Sequence, residues 1–242
     1  TLVPGSRSIT PARHDRMPYR VFLAQLGMRL RNALEGRPNG YEQAREFEAD
    51  IRLIADSLRA NKGWNAGHHS VLRLLRRVQT FGFHMATLDV RQHTSVHHQV
   101  IAQGLGDPDW PRRPAPQRQE LLGGALARDQ GPRVELDPQG RRSRGVFEAM
   151  VQGRHRYGPD AIGYYVVSGA QGIDDVLAVL LLARWAEAWD KRTGEAAVDV
   201  APMFECLDTL ARSADLMRLL LEDPTYQRHL AARGGRQGVV LG

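Results

Sequence analysis

Apolar positions along this chain recur first with a helical period and then, from about residue 81, with a strand period that alternates with further helices. In PYRVFLAQLGMRLRNALEG, Val21, Phe22, Leu26 and Leu30 share one helical face, a proline suited to the first helical position opens the run, and Gly36 stops it. A second helix is predicted over 41–60, with Phe47, Ile51, Ile54 and Leu58 on one stripe. A third covers 69–80, with Val71, Leu72, Leu75 and Val78. Residues 1–17 hold Pro4, Pro11 and several arginines without any period, and read as an extended linker.

The period then changes. FHMATLDV is short, apolar and partly β-branched, and predicts a buried strand that delivers Asp89, Arg91 and Gln92 at its end, ahead of a helix over 94–105. A rigid cationic fork at a strand end is a way to hold an anion, so function is sought here first. The stretch 107–145 is rich in proline, glycine and arginine around one predicted helix at 117–127, and reads as a surface insertion or mobile connection. After a helix ending near Tyr157 come the strand IGYYVVSG, a helix over 174–188 with two acids at its positive end, the strand VDVAPMFE, helical material over 207–233, and the strand QGVVLG.

Strands joined by helical crossovers predict a parallel sheet, and near-continuous apolar strands predict that both its faces are covered. The strands end in Arg91 and Gln92, in Ser168 and Gly169, in Glu205 and in Gly242, residues expected to converge at one mouth. The fold expected is helix-rich α/β: N-terminal helices over 1–80, then over 81–242 about half of an eight-stranded βα barrel of the TIM type. The helix over 176–185 is apolar nearly all round, so a piece separated from its covering layer is expected to associate.

Composition narrows the class without naming a reaction. With 42% hydrophobic and 25% charged residues, the chain matches an ordinary globular protein. The formal net charge of +6 would suit nucleic acid, but among 33 basic residues only Lys62 and Lys191 are lysines, a bias that reads more simply as a GC-rich coding habit. Nucleic acid is therefore not expected as a partner, and neither is a membrane, since no apolar run approaches the roughly 18 residues needed to cross a bilayer. A single cysteine, Cys206, excludes an internal disulfide, and with no signal-like start the expected location is cytoplasmic.

Several motifs occur in one order: PYR at 18–20, FGFHMATLDVRQ at 81–92, YGPDAIGYYVVS at 157–168, DVLAVLLLAR at 175–184, VAPMFECLDTL at 200–210 and RGGRQGVVLG at 233–242. In these the chain resembles phosphoenolpyruvate carboxylase, a carbon-carbon lyase that adds bicarbonate to phosphoenolpyruvate to form oxaloacetate and phosphate, an anaplerotic fixation of carbon dioxide. The resemblance implies a barrel of the phosphoenolpyruvate/pyruvate-binding kind, Mg2+ or Mn2+ as cofactor, and a homotetramer at full length. It implies that Arg91 binds substrate and that Glu205 is a metal-binding carboxylate. Arginine's planar fork suits an oxygen pair, and a hard divalent ion takes oxygen ligands.

The resemblance also implies that the chain spans about a quarter of a family member. The family's Tyr-Ser-Asp-Ser, Thr-Ala-His-Pro and His-Gly-Arg-Gly-Gly segments have no counterpart, so the isolated chain is expected to be inactive without the rest of the carboxylase as partner. Three positions depart from the family's habit: His93 stands for an acid, Gly169 for a methionine and Asp174 for a serine. A rival reading is a catalytically dead binding or assembly module on the same fold.

Other constellations carry less. His93 and His97 stand four apart with His98 adjacent, but no glutamate follows the first histidine and no cysteine assists. His97 is therefore read as solvated rather than as a zinc ligand. Cys206 adjoins Glu205, whose charge is expected to raise its thiol pKa. Tyr164 and Tyr165 read as core packing.

Overall fold

The helical periods of the first 81 residues form three helices, α1 (Pro18–Glu35), α2 (Ala44–Ala60) and α3 (His69–Phe81). The structure, a computed structural model, describes residues 10–14, 16–190 and 192–242. Most of the expected linker, 1–9 and 15, lies outside the described residues, and Ala12–His14 in its remainder form a 3-10 turn. Gly36 ends α1 in the left-handed conformation at φ 65, which a side chain would strain. Leu26, Phe47, Ile51, Ile54, Leu58 and Leu75 close one core, with Phe22, Leu30, Val71 and Val78 packed against it, so most of each stripe read from the sequence faces inward; Leu72, expected on the α3 stripe, is instead 42% exposed.

The chain divides into two units, residues 1–86 with 155–161, and residues 87–154 with 162–242. The second unit holds a four-stranded sheet in the order β1 (Leu88–His93), β2 (Ile162–Ser168), β3 (Asp199–Phe204), β4 (Val240–Leu241), every neighbouring pair parallel. Between them run α4 (Thr94–Leu105), α5 (Ala115–Ala127), α6 (Pro138–Tyr157), α7 (Ile173–Trp185), α8 (Leu207–Ala211), α9 (Ser213–Glu222) and α10 (Pro224–Ala232). Helix-rich α/β with a parallel sheet is thus the observed class. From Asp174 to Trp185 every side chain of α7 except Arg184 is buried, as its all-round apolar surface requires.

Two expectations about packing are corrected. The first strand begins at Leu88 rather than at residue 83, because Gly82 and Met85 take positive φ of 53 and 68 and break the extended run. It is also an exposed strand: Leu88, Asp89, Arg91 and His93 are all open, since among the described residues β1 pairs only with β2. The stretch 107–145 is not a mobile surface piece either. Trp110, Leu122, Ala125 and Leu136 enter the main core, and Arg118 reaches Asp174 of α7 at 2.7 Å. Its proline and glycine content shapes the backbone, while a few large side chains too widely spaced to show a period anchor it.

The third correction has a measurable consequence. His97 is fully buried in α4, with Nε2 2.9 Å from the Tyr165 hydroxyl, and is not solvated. Burial, helped by the charge of His98, pushes its pKa down to about 4, and burial with Arg233 does the same to His229 of α10. Both have an ordinary value of 6.5, so between pH 6.5 and 4 the unfolded chain binds more protons than the native one. Their stabilisation is complete above pH 6.5 and is lost progressively as pH falls through 4. Each contributes at most about 3 kcal/mol over that span. The unfolding midpoint of the natural protein, followed by calorimetry, should fall across this window, and His229→Gln should flatten the slope. An unchanged slope would exclude His229 as a source.

Candidate functional site

Glu205 follows β3, and three strand ends meet at its carboxylate. Its Oε2 accepts a hydrogen bond from Nη2 of Arg91 at 2.9 Å, and its Oε1 accepts the backbone N–H of Gly169 at 3.0 Å. The sheet register explains the reach. Arg91 pairs with Val166 and Val166 with Ala201, so β1 and β3 lie about 9.6 Å apart across β2, a gap that two long side chains can bridge. Gly169, just past β2, has φ 72, and this turn accompanies the N–H bond to Glu205. At the fourth strand end, the Gly242 N–H bonds to the Phe204 carbonyl at 3.1 Å, and a Cβ on Gly242 would stand 2.7 Å from the end of the Met203 side chain and 3.2 Å from Glu205 Cβ.

The two site residues expected from the sequence are therefore brought together from 114 positions apart. Arg91 does not pair with Asp89. Asp89 instead accepts the Tyr164 N–H at 2.8 Å, where the β1–β2 register shifts between Leu88 and Val90. A guanidinium carries five N–H donors, and Glu205 takes one of Arg91's. The half-exposed fork therefore keeps donors for an anionic oxygen pair. The carboxylate of Glu205 has about four acceptor positions, of which two are filled, so it can still offer oxygen to a divalent ion. That fits a cation that takes one or two carboxylates and completes its shell with water or substrate.

His93 caps α4, its Nδ1 accepting the Ser95 N–H at 3.2 Å, and its ring lies over Gly169. A Cβ on Gly169 would sit 2.5 Å from His93 Nε2. His93 and Gly169 thus form one arrangement: the imidazole fills space that a side chain at 169 would need. Sequence reasoning missed this partnership and the Gly169 N–H as a donor; the signal was a glycine directly after a strand.

A second polar cluster joins His98 to Asp174 and Asp175, with ligand-type atoms within 4.8 Å of one another. Its hydrogen bonds argue against metal. The Trp110 indole N–H donates to His98 Nδ1 at 3.1 Å, so Nε2 carries the proton and donates to Asp175 at 2.8 Å, leaving no lone pair for an ion. Asp174 is held by Arg118, and Asp175 accepts the N–H groups of Gln171 and Gly172 at the start of α7. Burial, then the charge of Asp175, raises the Asp174 pKa against the pull of Arg118. The cluster clamps α4, α5 and α7 together.

Cys206 is exposed, and its thiol pKa is lowered, not raised, because hydrogen bonds with Thr209 favour the thiolate over the opposing charge of Asp208. Among the described residues no helix is long and apolar enough to cross a membrane.

Comparison with known proteins places these motifs. A family model described as phosphoenolpyruvate carboxylase matches residues 6–242. A phosphoenolpyruvate carboxylase of Xanthomonas euvesicatoria pv. vesicatoria is 43% identical over 242 residues, all of this chain and 26% of the relative. Enzymes of that name from Rhodothermus marinus and Mycobacterium avium are 34% and 32% identical, over 95% and 94% of this chain and 27% and 26% of their own lengths. The chain thus spans about a quarter of the curated relatives it matches.

Proposed function

The chain belongs to the phosphoenolpyruvate carboxylase family, and on that footing we propose that it supplies the Arg91–Glu205 part of an active site that converts phosphoenolpyruvate and bicarbonate to oxaloacetate and phosphate. The observation that carries this reading is the 2.9 Å contact between a cationic fork and a carboxylate at converging strand ends. In it Arg91 binds and orients anionic oxygens of phosphoenolpyruvate, and Glu205 holds Mg2+ or Mn2+. A divalent ion held there would supply charge neutralisation for the negative substrate oxygens. The ion pair keeps the two side chains aligned when neither ligand is bound, and the Gly169 N–H fixes the carboxylate so that Arg91 can turn to the substrate.

The same reading makes the parallel sheet of 81–242 part of a βα barrel, with the helices of 1–80 before it. The further proposals are the remaining carboxylase residues as partner, a homotetramer, and a cytoplasmic location.

The test is made in the natural protein that carries these residues, where bicarbonate-dependent oxaloacetate formation is expected. Glu205→Gln keeps the shape and removes the charge, and should raise the divalent-ion concentration giving half-maximal activity by at least about tenfold, comparable to losses seen at supporting residues of metal sites. A Mn2+ titration followed by electron paramagnetic resonance should show the same weakening. Unchanged metal binding would remove Glu205 from the ligand set.

A further inference from the structure

A pocket of about 320 Å3 opens where α4 and α5 end, built from other residues than those around Glu205. Arg113, Arg128 and Arg133 line it, together with the apolar side chains of Leu105, Leu121 and Ala125. The nearby carboxylates are committed. Asp107 grips Arg113 through both oxygens, at 2.7 and 3.2 Å, and Asp129 points to Arg184 at 3.3 Å. Asp109 pairs with Arg112 and Glu135 with Arg141. Among the described residues neither Arg128 nor Arg133 has a side-chain partner. Three guanidiniums against one carboxylate leave two positive charges facing one concavity.

The frame of the pocket is fixed before any ligand arrives. The Gln130 carbonyl accepts the Trp185 indole N–H at 2.8 Å, the Gln130 N–H bonds to the Ala125 carbonyl at 2.9 Å, and the Arg133 N–H bonds to the Gly104 carbonyl at 2.6 Å. Gly124 lets the Arg128 guanidinium lie against the helix, since a Cβ there would stand 3.2 Å from both of its terminal nitrogens. A preformed site loses less on binding than one that must be ordered.

We propose that this pocket binds a small phosphate monoester, with its dianionic head on Arg128 and Arg133 and its carbon skeleton against Leu105, Leu121 and Ala125. A phosphate monoester carries about −1.5 to −2 at neutral pH, which matches the two uncompensated guanidiniums, and its three oxygens suit two forks. A single carboxylate would leave one charge unmatched. The volume lies at the lower end of the range for small-molecule sites, so the skeleton is short.

The experiment uses the natural protein carrying Arg91→Gln, so that phosphate held near Glu205 does not mask the pocket. Glycerol 3-phosphate, inorganic phosphate and succinate are titrated by calorimetry. Glycerol 3-phosphate should bind with a Kd below about 1 mM, inorganic phosphate more weakly for want of a skeleton, and succinate at least about tenfold more weakly than glycerol 3-phosphate. Arg128→Gln and Arg133→Gln, both at exposed positions, should each weaken glycerol 3-phosphate by about tenfold or more. Absence of binding at 10-fold above that threshold, equal binding by the double variant, or succinate binding as tightly as glycerol 3-phosphate would each overturn the proposal.

Discussion

Arg91→Ala in the natural protein is expected to lower kcat/KM for phosphoenolpyruvate by about a thousandfold, a loss of about 4 kcal/mol of transition-state binding. The figure follows from two charge-assisted hydrogen bonds to an anionic oxygen pair, each contributing about 1.5–3 kcal/mol. Arg91 makes a single contact with the protein's own carboxylate and is more than half exposed, so its removal should cost function rather than folding. Arg91→Lys restores charge without the fork and should recover only about a tenth to a hundredth of the activity. Steady-state kinetics with varied phosphoenolpyruvate separates the effects on KM and kcat. A purely structural role would change both variants' hydrogen exchange in β1 and β2 and leave KM alone. A kcat/KM within about threefold of the parent would remove Arg91 from the substrate site.

The second large effect concerns stability and lies at the opposite, N-terminal ends of β2 and β3. There Arg154 donates to the carbonyls of Ile162, Gly163 and Ala197 at 2.7–3.1 Å and to Asp199 at 3.1 Å, while Arg233 grips Asp199 through both oxygens at 2.7 and 2.8 Å. Burial alone would raise the Asp199 pKa, but Arg233 and then Arg154 override it and hold the carboxyl below the usual range. Arg154→Met deletes one cation and removes the donor to the carbonyls of three half-buried residues, Ile162, Gly163 and Ala197. Breaking such a network costs about 3–5 kcal/mol, and the partial exposure of Asp199 favours the lower half of that range. Hydrogen exchange in peptides covering 162–168 and 199–204 should therefore accelerate by about two to three orders of magnitude. Arg218→Met, which removes an exposed pair on α9, should leave exchange nearly unchanged. Equal protection in the two variants would show that the Arg154 network holds nothing together.

Much of this architecture is local and was legible from the order of residues. The stripes of Phe47, Ile51, Ile54 and Leu58 are the buried face of α2, and Ile162–Ser168 and Asp199–Phe204 form parallel strands where the apolar runs stood between helices. The all-round apolar α7 is buried all round. Arg91 and Glu205 could be singled out as candidates by residue type and by the motifs around them. Their contact could not, because no period or spacing links residues 114 positions apart.

Periodicity records which side of an element prefers water, a property of neighbouring residues, and it determined the helices, the strand order of events along the chain and the residue types at the strand ends. The tertiary structure alone decided which of those residues meet. It placed Arg91 across β2 onto Glu205, turned Gly169 to donate to the same carboxylate, and laid His93 where a side chain at 169 would stand. It also buried His97 and Trp110, and let Thr209 override the charges around Cys206. Apart from the Thr209 contact, which spans only three residues, these depend on distances through space between segments far apart in sequence, and both hydrogen bonding and desolvation act over a few ångströms of space, whatever the separation along the chain.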